Sequence, residues 1–103
     1  MIRHLVFLKY SNDVTQDIKD ALMRDLESLR DEVDGFETFC ARKNISPETP
    51  LVHGLTDMFW IDFRDDLARD AYLANERHKS IGARLMKSLD GGARGIFVCD
   101  VAL

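Results

Sequence analysis

The chain has 103 residues, of which 46% are hydrophobic and 31% are charged, and its formal net charge is −4. This length favours one domain spanning residues 1–103, and the composition excludes a disordered or collagen-like chain. The modest acidic balance argues against nucleic acid or an anionic membrane surface as the main partner, because both bind through clustered Lys and Arg.

Short hydrophobic runs and isolated cysteines suggest where the protein works. The apolar stretch Leu5–Leu8 is shorter than the core of a signal peptide, and no segment approaches the roughly 18 apolar residues of a membrane span. Cys40 and Cys99 lack the CxxC spacing of a zinc site and do not make a disulfide framework. These features favour a cytoplasmic protein, and they indicate neither a metal nor an organic cofactor.

The first half of the chain has the pattern of a strand, a helix and a second strand. Branched, aromatic and large apolar residues predict a strand over His4–Tyr10, which a polar turn cluster ends. Apolar residues then recur at helical spacing from about residue 16 to residue 33, and Thr15 is placed to cap this helix. Phe36–Lys43 predicts a second strand, and a long loop follows over residues 44–50.

The second half of the chain repeats this order. Leu55–Arg64 has the strongest strand pattern in the sequence. Asp65 and Asp66 offer N-cap oxygens to a helix that begins at residue 67 and continues to residue 89, with an interruption near Asn75. Arg94–Ala102 predicts the last strand.

The order strand, helix, strand, strand, helix, strand is the ferredoxin-like βαββαβ arrangement. It predicts an α+β fold with one antiparallel sheet, strand order 4-1-3-2 and helices on one face. The central strands are apolar on both faces, whereas a sheet covered on one side alternates apolar and polar residues. Because one chain has helices for only one face, we expect the other face to pack against a second copy. This predicts a homodimer that forms a dimeric α/β barrel.

Three segments of the sequence carry a family resemblance. They are residues 4–10 (HLVFLKY), residues 54–63 (GLTDMFWIDF) and residues 71–73 (AYL) followed by His78. In this order and spacing, the chain resembles the stress-responsive dimeric α/β-barrel family over nearly its whole length. The resemblance implies a ferredoxin-like protomer whose sheet packs face to face with its twin, as the two-sided strands independently require. Most members of this family have no settled activity.

The same resemblance implies a candidate chemistry. One plant branch of the family acts as a polyketide cyclase, which closes an aromatic ring by aldol chemistry with a tyrosine and a histidine as acid and base and without a cofactor. Tyr72 and His78 stand at the positions of that pair and are the candidate catalytic residues. His4 matches a further histidine of the cyclases, whereas Asp57 stands where they have another histidine. With Phe59, these two residues are candidates for ligand binding.

Tyr72 and His78 suit proton transfer, because an imidazole with a pKa of about 6.5 accepts a proton at neutral pH and a phenol can donate one. In an unbroken helix, however, they would lie about 9 Å apart along the axis and about 120° apart around it. They can meet only if the helix breaks, and Asn75–Glu76 is the expected place. The plainer interpretation makes Tyr72 a core aromatic and His78 a capping or surface histidine. No spacing motif indicates a metal site formed with His4 and Asp57.

Three functions therefore stay open at this level. The first is a dimeric barrel protein whose interior pocket binds a small apolar molecule and catalyses cofactor-free proton transfer or cyclisation. The second is a non-catalytic stress or assembly protein with a filled interior. The third is a cofactor-free or haem-linked monooxygenase, as in related barrels of the same architecture, although no residue in this sequence specifically requires it.

Overall fold

A computed structural model describes residues 1–103 as one four-stranded antiparallel sheet with helices. The strands are β1 (Ile2–Leu8), β2 (Phe36–Lys43), β3 (Asp57–Phe63) and β4 (Ile96–Ala102). The helices are α1 (Gln16–Glu27), α2 (Thr49–Val52), α3 (Asp66–Ala74) and α4 (Glu76–Lys87). The sheet order β2-β3-β1-β4 confirms the predicted ferredoxin-like topology. Because β2 and β4 are free edges, the sheet of one protomer is open and is not a closed barrel.

The hydrophobic core lies between the helices and one face of the sheet, which we call the covered face. Alternate residues of a strand point to the same face, and β1 and β3 each bury every second residue there. The apolar stripes of α1, α3 and α4 pack on this face. The largest fully buried side chains are Tyr72, Phe63, Leu8, Leu26, Leu29 and Ile61.

Side-chain caps begin the three longer helices. Thr15 caps α1, Asp65 caps α3 and Asn75 caps α4; each side-chain oxygen accepts a hydrogen bond from the amide three residues later, at 3.3, 2.9 and 2.9 Å. Such a bond satisfies one of the amides that have no partner in the first turn of a helix. The caps predicted at Thr15 and Asp65 are therefore confirmed, and so is the break near Asn75, whereas Asp66 is the first residue of α3 and not its cap.

The first strand and the first helix differ from their predicted bounds. β1 lies two residues earlier than predicted, and Tyr10 forms only an isolated bridge with Leu89. The helix predicted over residues 16–33 ends at Glu27, and Ser28–Asp31 form a 3₁₀ turn. Both kinds of helix bury a residue every three or four positions, so apolar spacing alone does not separate them.

The second half of the chain also departs from the prediction in places. The short helix α2 lies where a loop was expected, because Pro50 suits the first turn of a helix. β3 is shorter than predicted at both ends. Arg94 lies in the 3₁₀ turn Gly92–Gly95 rather than in the last strand, which begins at Ile96.

The face of the sheet opposite the core, which we call the open face, is covered at one end only. There, α2 and its flanking loop approach Phe7 and Phe97. Leu5 and Trp60 of the open face are half-buried, and Phe97 is 56% exposed. At the other end, Arg3 donates two hydrogen bonds to Asp62, at 2.8 and 3.0 Å. The second apolar face predicted from the sequence is therefore present and is largely uncovered in one protomer.

The helices fall short of the length and apolar character that a transmembrane segment needs.

Candidate functional site

The break between α3 and α4 brings Tyr72 and His78 together. Asn75 has an extended backbone conformation, with a ψ of 129°, and α4 begins at the next residue. The ring centroids of Tyr72 and His78 are consequently 4.1 Å apart, with the ring planes inclined by 44°. The chain achieves this break without a proline, because the Asn75 side chain caps the second helix.

Both rings border a cavity of about 330 Å³ on the covered face of the sheet, which we call the aromatic cavity. Nine of its thirteen lining residues are hydrophobic. The polar groups in its wall are those of His4, Tyr72, His78 and Asp100, and Phe59 adds a further ring. A mostly apolar wall with a few convergent polar groups is typical of sites for small organic molecules, and the volume is at the small end of that range.

His78 is held in its neutral form. Burial is the main cause that lowers its pKa below the ordinary value, the nearby His4 lowers it further, and a contact with the Leu73 backbone acts in the opposite direction. Its Nδ1 atom is buried and has no hydrogen-bond partner within the protomer. A neutral imidazole with a free nitrogen can accept a proton from a bound molecule.

Tyr72 is a core residue as well as part of the cavity wall, with only 1% of its surface exposed. Its ring packs against those of Phe63 and Phe36, with centroid distances of 5.1 and 6.0 Å. Burial raises the pKa of the Tyr72 phenol. The hydroxyl therefore stays protonated at neutral pH, and it can act as a hydrogen-bond or proton donor. Tyr72 is therefore a core aromatic, as the plainer interpretation holds, and it is also part of the candidate site.

His4 is the second imidazole of the aromatic cavity, and a carboxylate holds it. Its Nδ1 atom lies 2.6 Å from Oδ1 of Asp100, and Oδ2 of Asp100 accepts a hydrogen bond of 3.2 Å from Arg69. If Nδ1 donates to Asp100, Nε2 of His4 is left as an acceptor. The His4 ring meets Tyr72 edge to face at a centroid distance of 5.9 Å. Arg69, Asp100 and His4 thus form a chain of polar contacts that ends at the cavity.

Asp100 was missed at the level of sequence. The register of β1 and β4 places it directly opposite His4, although the two residues are 96 positions apart in the chain. Its signal in the sequence is weak: in β4 it shares the covered face with Ile96 and Val98 by strand alternation, and is the one acidic residue among them.

Asp57 does not lie in the aromatic cavity. It borders a second cavity of about 320 Å³ at the other end of the covered face, which we call the charged cavity. Its carboxylate is 3.3 Å from the Lys19 ammonium and 2.5 Å from the Lys43 ammonium. The Lys19 ammonium also lies 4.9 Å from the centre of the Tyr10 ring. The structure therefore separates Asp57 from the other four candidates, which it brings together.

Metal ligands do not cluster in this structure. No group of three or more His, Cys, Asp or Glu side chains is arranged to hold a metal ion. Of the three residues considered for such a site from the sequence, His4 and His78 border the same cavity, and Asp57 borders the other.

The ferredoxin-like fold and an aromatic cavity under its helices define the class of this protein, and comparison with known proteins identifies its family. The family model described as the stress responsive A/B barrel domain matches residues 2–102. The chain therefore belongs to the stress-responsive A/B barrel domain family, as its sequence motifs predicted. No functionally curated protein matches the chain.

Solved structures agree with this assignment. A dimeric ferredoxin-like protein of unknown function from Jannaschia sp. CCS1 is 29% identical, with a TM-score of 0.88 over 99% of this chain and 98% of that one. A protein from Arabidopsis thaliana is 21% identical, with a TM-score of 0.87 over 100% and 95% of the two chains. The hydroxynitrile lyase of Passiflora edulis is 14% identical, with a TM-score of 0.81 over 99% and 92%. The last two likenesses show the shared fold alone.

Proposed function

We propose that the aromatic cavity binds a small, largely apolar carbonyl compound, and that Tyr72 and His78 transfer protons to and from it without a cofactor. One observation carries this proposal. A neutral imidazole with an unpartnered nitrogen packs against a buried, protonated phenol, and both groups border an apolar cavity. A base and an acid placed side by side in a site of low polarity are the two groups that proton transfer at a carbonyl compound needs.

The proposed reaction begins with proton abstraction beside a carbonyl group. His78 takes the proton from that carbon, and the electron pair of the broken C–H bond forms an enolate. If the molecule holds a second carbonyl, the enolate carbon attacks it, a C–C bond forms, and the alkoxide takes the proton of the Tyr72 hydroxyl. The imidazolium of His78 then gives its proton to solvent and the Tyr72 phenolate takes one from solvent, which restores both groups. Ring closure of this kind is the class of reaction that the resemblance to the cyclase branch implies.

The rest of the aromatic cavity has supporting roles in this proposal. His4, oriented by Asp100, offers a polar contact to the carbonyl end of the molecule. The Phe59 ring and the aliphatic wall hold its apolar part. Asp57 lies in the other cavity and has no part in this reaction.

Proton–deuterium exchange at the methyl group of acetophenone in D₂O, followed by NMR, tests the proposed chemistry without knowledge of the natural substrate. Tyr72→Phe and His78→Gln should each slow the catalysed exchange by about 10² to 10⁴-fold, since that is the usual contribution of a general acid or base. His53→Gln is the matched control, because this histidine is exposed and borders neither cavity. Undiminished exchange in Tyr72→Phe and His78→Gln would rule out the catalytic assignment. A protein that neither binds nor exchanges any ketone would favour the non-catalytic assembly alternative.

We also propose that the chain is a homodimer that buries the open face of its sheet. The uncovered apolar groups of that face and the dimeric state of the Jannaschia relative support this association. Phe97→Glu places a charge among the uncovered apolar groups of the open face and should weaken dimerisation by more than about a hundredfold. Leu67→Glu is the control, since Leu67 is 75% exposed on α3, away from the sheet. In sedimentation experiments, a dimeric Phe97→Glu variant or a monomeric wild type at micromolar concentration would contradict the proposal.

A further inference from the structure

Gly82 lies in the interior of α4 without a backbone reason for being glycine. Of the six glycines, it alone has neither a positive φ nor a close neighbour where a Cβ would stand. At Gly35, by contrast, φ is +89° and a Cβ would lie 2.7 Å from the Cβ of Ala68. A glycine inside a helix lowers its stability relative to alanine, so the residue at position 82 has a cost that the backbone does not explain.

The position of Gly82 in the cavity wall indicates what it contributes. It lines the aromatic cavity one helical turn after His78 and one turn before Met86. In a helix, residues four apart share a face, and each Cα–Cβ bond tilts towards the N-terminus. A side chain at position 82 would therefore extend over the preceding turn and cover His78. Apart from α4's own backbone and the two residues next to Gly82, no heavy atom lies within 4 Å of the place of this Cβ, so the space next to position 82 is open.

We infer that Gly82 is a specificity-determining residue of the aromatic cavity, which leaves beside His78 the room that the apolar arm of a bound carbonyl compound occupies. This inference rests on the proposed function, because it concerns the ligand of the same cavity. Gly82 then sets the upper limit on the size of the ligand next to His78, the proposed base. The substrate class is then a carbonyl compound whose apolar arm runs along α4 past position 82.

The first experiment measures access to His78 and needs no ligand. Diethylpyrocarbonate modifies neutral imidazoles, and mass spectrometry gives the rate at His78 relative to the exposed His53 in the same molecule. Gly82→Leu should lower this ratio by about tenfold, because the added side chain covers the ring. Ala83→Leu adds similar bulk to the same helix at an exposed position outside the cavity wall, and it should leave the ratio unchanged.

The second experiment measures the size limit with a series of ketones from acetophenone to hexanophenone, titrated by NMR. Gly82→Leu should weaken the binding of acetophenone least, because this ketone has the shortest arm. It should lose about tenfold in affinity for the longest ketone, which corresponds to about two methylene groups kept out of the apolar wall. Gly82→Ala should raise the midpoint of thermal unfolding by about 4 °C, because alanine is the better helix former. Retained folding of Gly82→Leu is checked by the same thermal measurement.

The outcomes separate this inference from the proposed function. Equal modification of His78 in Gly82→Leu and wild type, or equal affinity of both for every ketone, would overturn the role of Gly82. Slower modification of His78 in Gly82→Leu, with no ketone bound by the wild type, would overturn the proposed ligand class. Control of access to His78 by Gly82 would stand in that case. Slower modification together with a loss of affinity that grows with the length of the ketone supports both.

Discussion

The two cavities on the covered face of the sheet are similar in volume and opposite in chemistry. In the charged cavity, the carboxylate of Asp57 is bracketed by the ammonium groups of Lys19 and Lys43. In the aromatic cavity, the buried Nδ1 atom of His78 has no hydrogen-bond partner, and the ring packs against the Tyr72 phenol. Ion pairs satisfy the ionisable groups at one end of the sheet, whereas at the other end packing leaves one of them, His78, with an unpartnered nitrogen.

This difference distinguishes charged groups that stabilise the fold from groups that are free to react. The carboxylate of Asp57 has two ammonium partners, which neutralise its charge and occupy its oxygens. A neutral imidazole that burial keeps unprotonated has a free lone pair at the same pH. The aromatic cavity is therefore the part of the molecule suited to reaction, and the charged cavity is suited to tying α1 and β2 to β3.

The pH dependence of ketone exchange is the largest effect that we expect to distinguish the aromatic cavity from the charged cavity. Only neutral His78 can accept a proton, so kcat/KM should be constant above its lowered pKa and should fall about tenfold per pH unit below it. The plateau should extend below pH 6.5, the ordinary value for histidine. Tyr72 and the His4–Asp100 pair are the other titratable groups that border this cavity. A rate that begins to fall above pH 6.5 would contradict the assignment of His78 as the base.

The same pKa shift affects stability, and the sign follows from proton binding. Between the ordinary histidine pKa of about 6.5 and the lower pKa of folded His78, the unfolded chain binds more protons than the folded one. The free energy of unfolding should therefore decrease as the pH falls through this window. Urea denaturation of the wild type and of His78→Gln at several pH values measures the contribution of His78 to this pH dependence, since the variant has no imidazole at this position. An identical pH dependence for both proteins would show that His78 is not buried as described.

Replacing one aspartate in each cavity with asparagine should give opposite results. Asp57→Asn leaves Lys19 and Lys43 close together without their anion, so we expect a loss of about 1 to 3 kcal/mol in stability and no change in ketone exchange. Asp100→Asn weakens the hold on His4 and should slow ketone exchange by about tenfold, with a smaller loss of stability. Chemical denaturation and the NMR exchange assay together measure both effects. Slower exchange in Asp57→Asn alone would show that the reactive cavity has been misplaced.

The smallest expected effect compares two helix caps. Thr15→Ala and Asn75→Ala each remove one side-chain bond to a first-turn amide and should each cost about 1 kcal/mol. Asn75 also sets the break that brings His78 to Tyr72, whereas Thr15 begins α1 at the charged end. Ketone exchange should therefore fall in Asn75→Ala only. Equal exchange in both variants would indicate that packing, rather than the cap, positions His78.

Much of the fold could be predicted from local patterns. Runs of branched, aromatic and large apolar residues identified the four strands, and helical spacing identified the longer helices. Polar residues such as Thr15 and Asp65 marked where helices begin. Apolar spacing could not show that the first helix tightens into a 3₁₀ turn at Ser28–Asp31. It also could not show that Tyr10 lies outside β1, because the end of a strand depends on where its partners end.

The candidate site was only partly predictable. Tyr72 and His78 came from a family resemblance and a possible helix break, and the structure brings their rings together. Asp57 and Phe59 share one side of β3, so strand alternation alone could not separate them. Their positions along the strand separate them. Two residues span about 7 Å, and the lysine partners of Asp57 lie only at the end where β3 begins.

Short stretches of this chain contain enough information for its helices, its strands and its two apolar sheet faces, because these depend on the spacing of side chains a few residues apart. The bond from Asp100 to His4 and the open wall at Gly82 depend on strand register and on the direction of α4. Those features arise from packing between segments that are far apart in the chain, and the distribution of chemistry between the two cavities arises in the same way.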